Sequence, residues 1–332
     1  MTRLGKNSFC GIPELALTVA AESFKMRLAA VDIGTVTTRL LITEAGDGDI
    51  VELHREVNIT QLGEHLAENG RLNPKGLSAV LDALASYAQL CEQWHVERVR
   101  AVATSAARDA TDAEALFAGA RKRGFTVEII SGDEEARLSF VGATWGRAGS
   151  GLCVMDPGGG STEYVLGRVD GAGAVGARVD FARSLNIGSR RLTDMFVASD
   201  PPTPGELARV TQYVDAALAP VADELRGRVR EVIAVAGTAT PMVTVKYGIE
   251  PYNPARVHGQ VITTADLDLL VGALARVPLA ERQTIPGLEP DRAEVIVVGA
   301  LILQRSLAAL EMPAFTASDT DLLYGIIQSI AE

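Results

Sequence analysis

The sequence has few of the residues that build metal cages and disulfide frameworks. Its 332 residues include three widely spaced cysteines, Cys10, Cys91 and Cys153, and four histidines, none of which lies at metal-ligand spacing. No CxxC pair occurs, so a zinc site and a disulfide framework are both disfavoured. A reducing cytoplasm is the compartment that this cysteine usage favours.

Excess positive charge and long apolar runs are also missing. The chain has 31 lysines and arginines against 42 aspartates and glutamates, which gives a net charge of −11. Proteins that bind nucleic acids or membrane surfaces are normally basic, so neither partner is expected. No apolar run approaches the roughly 18 residues needed to cross a bilayer. A polyanionic ligand is compatible with this charge only through a local cluster of donors or a metal ion.

The length predicts two folded domains. At roughly 150 residues per domain, the chain corresponds to two units, each large enough for its own core. Residues 1–25 are expected to be an extension that precedes a functional start at Met26, with a docked N-terminal helix as the alternative. Residues 26–150 are predicted to form the first domain and residues 151–332 the second. The final helix is expected to pack back on the first domain.

Apolar runs that alternate with amphipathic stretches indicate an α/β architecture. The apolar run at 28–31 is followed by Asp32, a small polar turn and a second apolar run. The same order returns around Asp156, 124 residues later, so each half of the chain opens with the same hairpin.

Helices and turns are predicted at several positions that bear on the site. Helices are predicted from Pro74 to about Trp94, from Ser131 to about Trp145 and over residues 292–310. Residues 188–191 are predicted to form a turn, and residues 237–240 to link a strand to a helix.

Four turns rich in glycine, serine and threonine follow apolar strands. They lie at residues 34–38, at Gly132, at residues 158–162 and at residues 237–240. Glycine lets backbone N–H groups approach a ligand and hydroxyls add donors, so such concave arrays suit phosphate oxygens. One such turn is most often an ordinary β-turn, but two that each follow an aspartate favour the phosphate interpretation. No P-loop occurs, and no G-x-G-x-x-G follows the first strand.

Carboxylates flank the two phosphate turns, and we interpret them as ligands of a hard cation. Mg²⁺ commonly bridges one or two carboxylates to substrate phosphates, which relieves their repulsion. Asp156 and Glu163 are the best candidates, and Asp32 is the matching acid of the first turn. Turn capping is the alternative for the two aspartates, and a solvated strand face is the alternative for Glu163.

Two other features are ambiguous from their pattern alone. Glu134 and Glu135 lie in the first turn of a predicted helix, where acidic residues also complement the helix dipole. Arg108 follows the end of a strand, where it either belongs to an exposed loop or clamps a phosphate through charge-assisted bonds.

In their order along the chain, these segments resemble the exopolyphosphatase/guanosine pentaphosphatase (Ppx/GppA) family. That family belongs to the wider superfamily of actin, sugar kinases and heat-shock chaperone ATPases. The resemblance spans about residues 26–330. The segments that carry it are 32–40, 104–108, 130–138, 156–163, 184–193, 236–240, 257–259, 285–288 and 292–296. It implies two actin-like (ribonuclease H-like) α/β domains with the active site in the cleft between them.

The resemblance also implies a phosphoanhydride hydrolase. Its substrate would be inorganic polyphosphate, shortened processively from its end, or the 5′ γ-phosphate of guanosine pentaphosphate. Mg²⁺ is the expected ion, with Mn²⁺ or a monovalent cation as alternatives. An ATP-dependent small-molecule kinase and a non-catalytic sensor of guanosine penta- or tetraphosphate are the other functions considered. Two-domain members of the family often pair, so a homodimer is expected.

The roles of individual residues follow from their match to the family's motifs. Glu135 matches the catalytic glutamate. Arg108 and Ser161 match substrate or phosphate contacts, and Arg108 is assigned to the catalytic residues together with Glu135. Asp156 and Glu163, joined by Asp32, are the predicted metal ligands. Arg190 and Arg191 either guide a polyanion or form a solvated turn. The predicted phosphate-binding residues are Gly34, Thr35, Thr37, Thr38, Arg39, Gly158, Gly159, Gly160, Ser161, Thr162, Arg190, Arg191, Gly237 and Thr238.

The sequence departs from the family's pattern at two residues. Val36 stands where the family commonly has asparagine or another polar residue, so one side-chain donor is absent from the first turn. Pro157 replaces a usual aliphatic residue, which removes one N–H but fixes the turn. The helical domains that help longer members to grip long polyphosphate are also absent, so short chains are the expected substrates.

Overall fold

Apolar segments form two separate mixed sheets in the computed structural model, which describes residues 25–46, 48–171 and 176–331. Each sheet contains a three-stranded antiparallel meander extended by two parallel strands, and the second sheet adds an antiparallel strand at its edge. The prediction for residues 1–25 falls, apart from Lys25, outside the described residues. No helix in the described ranges is long and apolar enough to cross a membrane.

The strands of the two sheets repeat one arrangement, in which the strand with an aspartate next to its last residue lies inside the sheet. The first sheet has the spatial order β3-β2-β1-β4-β5 and the second β10-β11-β9-β6-β7-β8. The strands are β1 (Met26–Ile33), β2 (Thr37–Gly46), β3 (Asp49–Ile59), β4 (Arg98–Ala103), β5 (Val127–Ile129), β6 (Gly149–Pro157), β7 (Thr162–Val169), β8 (Ala177–Leu185), β9 (Glu231–Ala234), β10 (Val261–Thr263) and β11 (Ala314–Ala317).

Helices cover the sheets, and several begin with a side-chain cap. The Asn73 side chain accepts a bond from the Lys75 N–H at 3.0 Å, and Thr203 forms a capping box with Glu206. The helices are α1 (Leu66–Asn69), α2 (Pro74–Gln93), α3 (Ser105–Asp109), α4 (Glu114–Arg121), α5 (Gly132–Ala143), α6 (Ser189–Phe196), α7 (Pro204–Leu225), α8 (Ala236–Tyr247), α9 (Pro254–Val257), α10 (Thr264–Arg276), α11 (Leu279–Arg282), α12 (Ile296–Ala309) and α13 (Leu322–Ala331).

Helices α5 and α13 connect the two halves of the molecule. Helix α5 precedes the second sheet in sequence, yet its Phe140 lies in the core of that sheet. Helix α13 ends the chain, yet its Ile326 lies in the core of the first sheet. The two helices meet at their backbones, because a Cβ on Gly142 would lie 1.8 Å from the Asp321 carbonyl oxygen. Only glycine permits this approach.

Three local predictions are wrong. Residues 188–191 do not form a turn, because helix α6 begins at Ser189. The N–H groups of Ser189 and Arg190 donate to the carbonyl oxygens of Gly158 and Gly159, both at 2.9 Å. This tertiary contact provides acceptors for the free N–H groups of the first helical turn. Because the acceptors lie about 30 residues away, no local sequence pattern shows them.

The other two errors concern helix starts. Residues 237–240 do not precede helix α8 but form its first turn. The helix predicted over residues 292–310 starts only at Ile296, after a 3₁₀ turn at Pro290–Arg292. At the start of helix α8, Ala236 has a positive φ of 62°.

Candidate active site

A cavity of about 500 Å³ lies in the cleft, where the turns of the two aspartate-ended hairpins face each other. Both halves of the chain line it, together with the start of helix α8 and the segment before helix α13. From the predicted site it contains Asp32, Gly34, Thr35, Thr37, Arg39, Glu135, Asp156, Gly158, Gly159, Gly160, Ser161, Glu163, Gly237 and Thr238.

The two turns have the same internal bond. The Gly34 N–H donates to the Thr37 carbonyl oxygen at 2.8 Å, and the Gly158 N–H donates to the Ser161 carbonyl oxygen at 2.9 Å. Each turn thereby joins a strand that ends in an aspartate to the next strand of its sheet.

Glycine allows the two turns to touch. A Cβ on Gly159 would lie 2.5 Å from Val36 Cγ2, and a Cβ on Gly160 would lie 2.5 Å from Thr35 Oγ1. The Val36 side chain is buried in this contact. Val36, the apolar residue that departs from the family's pattern, therefore fills the interface between the turns.

Replacing Gly160 by alanine is expected to force the turns apart. The new Cβ would also lie 2.4 Å from Ser105 Oγ, so the free energy of unfolding is expected to fall by about 1–3 kcal/mol, as for other overpacked sites. Thermal unfolding measures this loss. Gly205→Ala is the matched control, because nothing lies within 4 Å of the new Cβ. Equal stability of the two variants would contradict the close contact.

Helix α5 places Glu135 at the cavity floor and Ser139, one turn later, against Asp156. Ser139 Oγ donates to Asp156 Oδ2 at 2.7 Å. Arg108 Nη1 donates to Glu135 Oε2 at 2.7 Å and to the Ile130 carbonyl oxygen at 3.0 Å. Arg108 does not line the cavity, so in this arrangement it holds Glu135 rather than facing a phosphate.

Burial raises the pKa of Glu135 to about 7. The Arg108 cation opposes the increase, whereas the charges of Asp32 and Asp156 add to it. Glu135 is therefore poised to exchange a proton near neutral pH.

The other acids of the cavity floor are also held in carboxylate-rich surroundings. Burial raises the pKa of Asp156 to about 6, although Arg39 and the bond from Ser139 oppose the increase. Burial, followed by repulsion from Glu135 and Asp156, raises the pKa of Glu163 well above its ordinary value. These groups favour a proton or a cation in the cavity.

Asp32 is held differently from the other acids. Its Oδ2 accepts bonds from Arg39 Nε at 2.9 Å and Nη2 at 2.7 Å, and Arg39 also pairs with Asp321. Within the described ranges, the buried Asp32 Oδ1 and Thr35 Oγ1 have no hydrogen-bond partner. These two orphaned atoms fit a ligand with its own polar groups.

The acids fit a cation that is shared with a substrate. Among the described residues, no three His, Cys, Asp or Glu side chains form a group that could hold a metal ion. The predicted trio of Asp32, Asp156 and Glu163 is therefore not a complete cage. Glu163 Oε1 accepts from Ser161 and Ser184, both at 2.7 Å, and in the described chain its Oε2 and Asp156 Oδ1 accept no bond. Two free carboxylate oxygens match the way Mg²⁺ binds alongside phosphates.

Four predicted phosphate-binding residues do not line the cavity. Thr38 Oγ1 is buried 3.2 Å from Thr60 Oγ1, and Thr162 Oγ1 donates to the Ile187 carbonyl oxygen at 2.5 Å. The remaining two are Arg190 and Arg191.

Both arginines form ion pairs within the protein instead of facing a ligand. Arg190 is not in a solvated turn, because its side chain is 2% exposed and it pairs with Asp194 and Glu294. Arg191 donates to the Gly160 carbonyl oxygen at 2.7 Å and pairs with Asp109, which ties the second turn to the first domain.

The pattern of the sequence missed several cavity residues. Arg55, Arg292, Asp319 and Asp321 all line the cavity. Arg292 Nη1 donates to the Gly237 carbonyl oxygen at 3.2 Å. Arg292 opens one of the segments that carry the family resemblance, and Asp319 and Asp321 lie in a polar segment that directly follows an apolar strand.

Removing the Arg108 cation is expected to shift the pH dependence of activity. Arg108 lowers the pKa of Glu135. Arg108→Met is therefore expected to move the acid limb of the pH profile of kcat to higher pH by about 1–3 units. Arg100→Met is the matched control, because Arg100 pairs with the neighbouring Glu134 at 2.7 Å. Rates measured from pH 5 to 10 test this. The same acid limb in both variants would contradict the role of Arg108.

Comparison with known proteins identifies relatives along nearly the whole chain. The Ppx/GppA phosphatase family matches residues 41–332. Exopolyphosphatase 2 of Mycobacterium tuberculosis is 36% identical over 325 residues, which cover 92% of this chain and 98% of that protein. Exopolyphosphatase 1 of Mycobacterium bovis is 27% identical over 307 residues, covering 91% and 87%.

Solved structures agree with these relatives. A Ppx/GppA family member from Aquifex aeolicus superposes with a TM-score of 0.75 at 33% identity, covering 92% of this chain and 97% of that one. An exopolyphosphatase from Cytophaga hutchinsonii superposes with a TM-score of 0.83 at 25% identity, covering 92% and 98%. The predicted actin-like two-domain α/β fold is thereby confirmed.

Proposed function

Because the chain belongs to the Ppx/GppA phosphatase family and is a phosphoanhydride hydrolase, we propose that it is an exopolyphosphatase. It removes the terminal phosphate of inorganic polyphosphate as orthophosphate, repeatedly from the same chain. The observation that carries the proposal is the buried Glu135 at the floor of a cavity with two facing glycine-rich turns.

In the proposed reaction, Glu135 acts as the general base. Its carboxylate orients a water molecule and accepts a proton as the water oxygen bonds to the terminal phosphorus. The bridging P–O bond breaks, and its electron pair leaves with the shortened chain. A pKa of about 7 suits this role, because the group is partly ionised at neutral pH and still basic enough to take a proton.

The two turns bind the phosphates, and the acids between the turns bind the cation that balances the phosphate charge. N–H groups of residues 35–36 and 159–160 donate to phosphate oxygens, and the hydroxyls of Thr35 and Ser161 face the same cavity. Asp156 and Glu163 would hold Mg²⁺, with Mn²⁺ as the alternative. A bound divalent ion supplies electrostatic stabilisation of the phosphate oxygens.

Guanosine pentaphosphate is the second candidate substrate. One part of the cavity wall is apolar and includes Pro241, Ile249 and Leu288. The flat face of a guanine base suits such a surface better than a phosphate chain does.

Phosphate release with Mg²⁺ tests the proposal. Inorganic polyphosphate, guanosine pentaphosphate and ATP are compared at equal concentrations, and fastest release from polyphosphate is expected. A preference for guanosine pentaphosphate would replace the first candidate with the second. Phosphoryl transfer from ATP to a small acceptor would identify a kinase, and tight nucleotide binding without release would identify a sensor.

A further inference from the structure

The residues that line the cavity mark its floor and its opening. Asp32, Glu135 and Glu163 are 3%, 7% and 1% exposed, whereas Val57 and Tyr252 are 40% and 49% exposed. The carboxylates therefore lie at the floor, and the opening lies beside Val57 and Tyr252. A phosphate chain with its terminal phosphate at the floor extends past these residues when it is longer than the cavity.

Three side chains connect the two domains at this opening. Arg55 lies on strand β3 of the first sheet, and its Nη1 donates to the Asp319 carbonyl oxygen at 3.2 Å. Arg55 Nη2 also lies 3.2 Å from Asp319 Oδ2. Tyr252, from the segment between helices α8 and α9, donates its hydroxyl to Asp319 Oδ1 at 2.5 Å. All three residues line the cavity.

A second carboxylate fixes Arg55 from the other side. Glu52 accepts from Arg55 Nε at 3.2 Å and Nη2 at 2.6 Å, and it also accepts from the Tyr324 hydroxyl at 3.0 Å. The guanidinium carbon lies 5.8 Å from the centre of the Tyr324 ring. Arg55 is thus held in place by its neighbours, and its charge is already matched.

The opening carries more negative than positive charge. Arg55 is one cation, and the carboxylates of Glu52 and Asp319 contact it. The exposed Glu250 also lines the cavity. At the same rim, Arg292 is paired with Glu289. A polyanion that passes through this opening meets net repulsion, and the repulsion increases with the number of phosphates that remain outside the floor.

We propose that Arg55, Tyr252 and Asp319 form a gate that limits the length of the phosphate chain accepted by the cleft. Its net negative charge selects short chains, and Tyr252 and Arg55 position Asp319. The gate is a specificity determinant and takes no part in the bond-breaking step. This inference rests on the proposed function.

The test compares tripolyphosphate with long-chain inorganic polyphosphate, using the ratio of kcat/KM for the long to the short substrate. Asp319→Asn is expected to raise that ratio about three- to fivefold at low salt, and Arg55→Met to lower it by a similar factor, as expected for one unit charge near the surface. Both effects are expected to shrink in high salt. Glu52→Gln removes a charge from a more exposed side chain and is expected to act like Asp319→Asn.

Arg168→Met and Asp180→Asn are matched controls, because this pair joins β7 to β8 at 3.0 Å without lining the cavity. They change the net charge of the protein equally but are expected to leave the ratio unchanged. An unchanged ratio in both Asp319→Asn and Glu52→Gln, or the same change in the controls, would overturn the gate. So would a change of the opposite sign.

Binding separates the gate from the proposed function. Affinities for the two polyphosphates are measured in the Glu135→Gln background, where hydrolysis does not interfere. Binding with the expected ratios but no phosphate release by the wild type would refute the exopolyphosphatase proposal and support the gate. Phosphate release with a long-to-short ratio that the gate variants do not change would support the exopolyphosphatase proposal and refute the gate. No binding of either polyphosphate would overturn both proposals.

Discussion

Glu135→Gln is expected to lower kcat for phosphate release by about 10²- to 10⁴-fold, the usual contribution of a general base. The amide has nearly the same shape as the carboxylate but cannot accept the proton of the attacking water. Because the buried charge disappears, the variant is expected to fold at least as stably as the wild type. Steady-state rates at saturating polyphosphate, with thermal unfolding alongside, measure both effects.

The adjacent glutamate provides a control that few sites offer. Glu134 lies on the same helical turn, but its side chain is 45% exposed and pairs with Arg100. Glu134→Gln is therefore expected to keep kcat within about twofold, as a surface change away from the reacting atoms. Equal losses in the two variants, or turnover near that of the wild type in Glu135→Gln, would refute the assignment of the base.

Asp156→Asn is expected to abolish most activity and to stabilise the fold at alkaline pH. The asparagine keeps the shape but removes the charge that would hold the cation, so a loss of at least about 10²-fold in kcat/KM is expected when a divalent ion is present. The stability change has an independent origin in the raised pKa of Asp156.

The sign of the stability change follows from proton linkage. The native state raises the pKa of Asp156 from 3.8 to about 6, so it holds the proton more tightly than the unfolded chain does. That stabilisation is complete below pH 3.8 and is lost as the pH rises through about 6. Above pH 6 the buried Asp156 of the wild type is ionised, which lowers the free energy of unfolding. Asp156→Asn removes that charge and is expected to raise the free energy of unfolding by about 1–3 kcal/mol.

Denaturant unfolding at pH 5 and pH 8 measures this difference. The gain from Asp156→Asn is expected to be larger at pH 8. Asp180→Asn removes the same charge from an exposed strand pair and is the matched control. A variant that loses stability at pH 8, or one that keeps full activity with Mg²⁺, would contradict the role of Asp156.

The parts of the site that follow from local pattern were predicted from the sequence. A strand-end aspartate followed by glycines and hydroxyls is a contiguous signal, and Asp32 and Asp156 meet at one cavity because both hairpins have the same geometry. Glu135 was identified through its match to a family motif. The pattern alone could not separate a buried base from a helix-dipole acid.

The parts that depend on distant contacts were not predicted. Arg39 and Asp321 are separated by 282 positions, so their ion pair appears only when helix α13 returns to the first sheet. Arg190 and Arg191 look like an exposed basic turn, but helix α6 begins on the carbonyl groups of the second glycine turn and buries Arg190. In these cases tertiary hydrogen bonds determine the outcome, and local propensity does not contain them.

The most direct test of the central claim follows the products of polyphosphate hydrolysis over time, with the wild type and Glu135→Gln compared in Mg²⁺. Orthophosphate is measured while gel electrophoresis reports the length of the remaining polymer. Orthophosphate is expected from the first time point, with loss from chain ends, no mid-length fragments, and almost no release by Glu135→Gln. Cleavage into internal fragments, or equal release by the variant, would contradict a terminal phosphoanhydride hydrolase with Glu135 as its base.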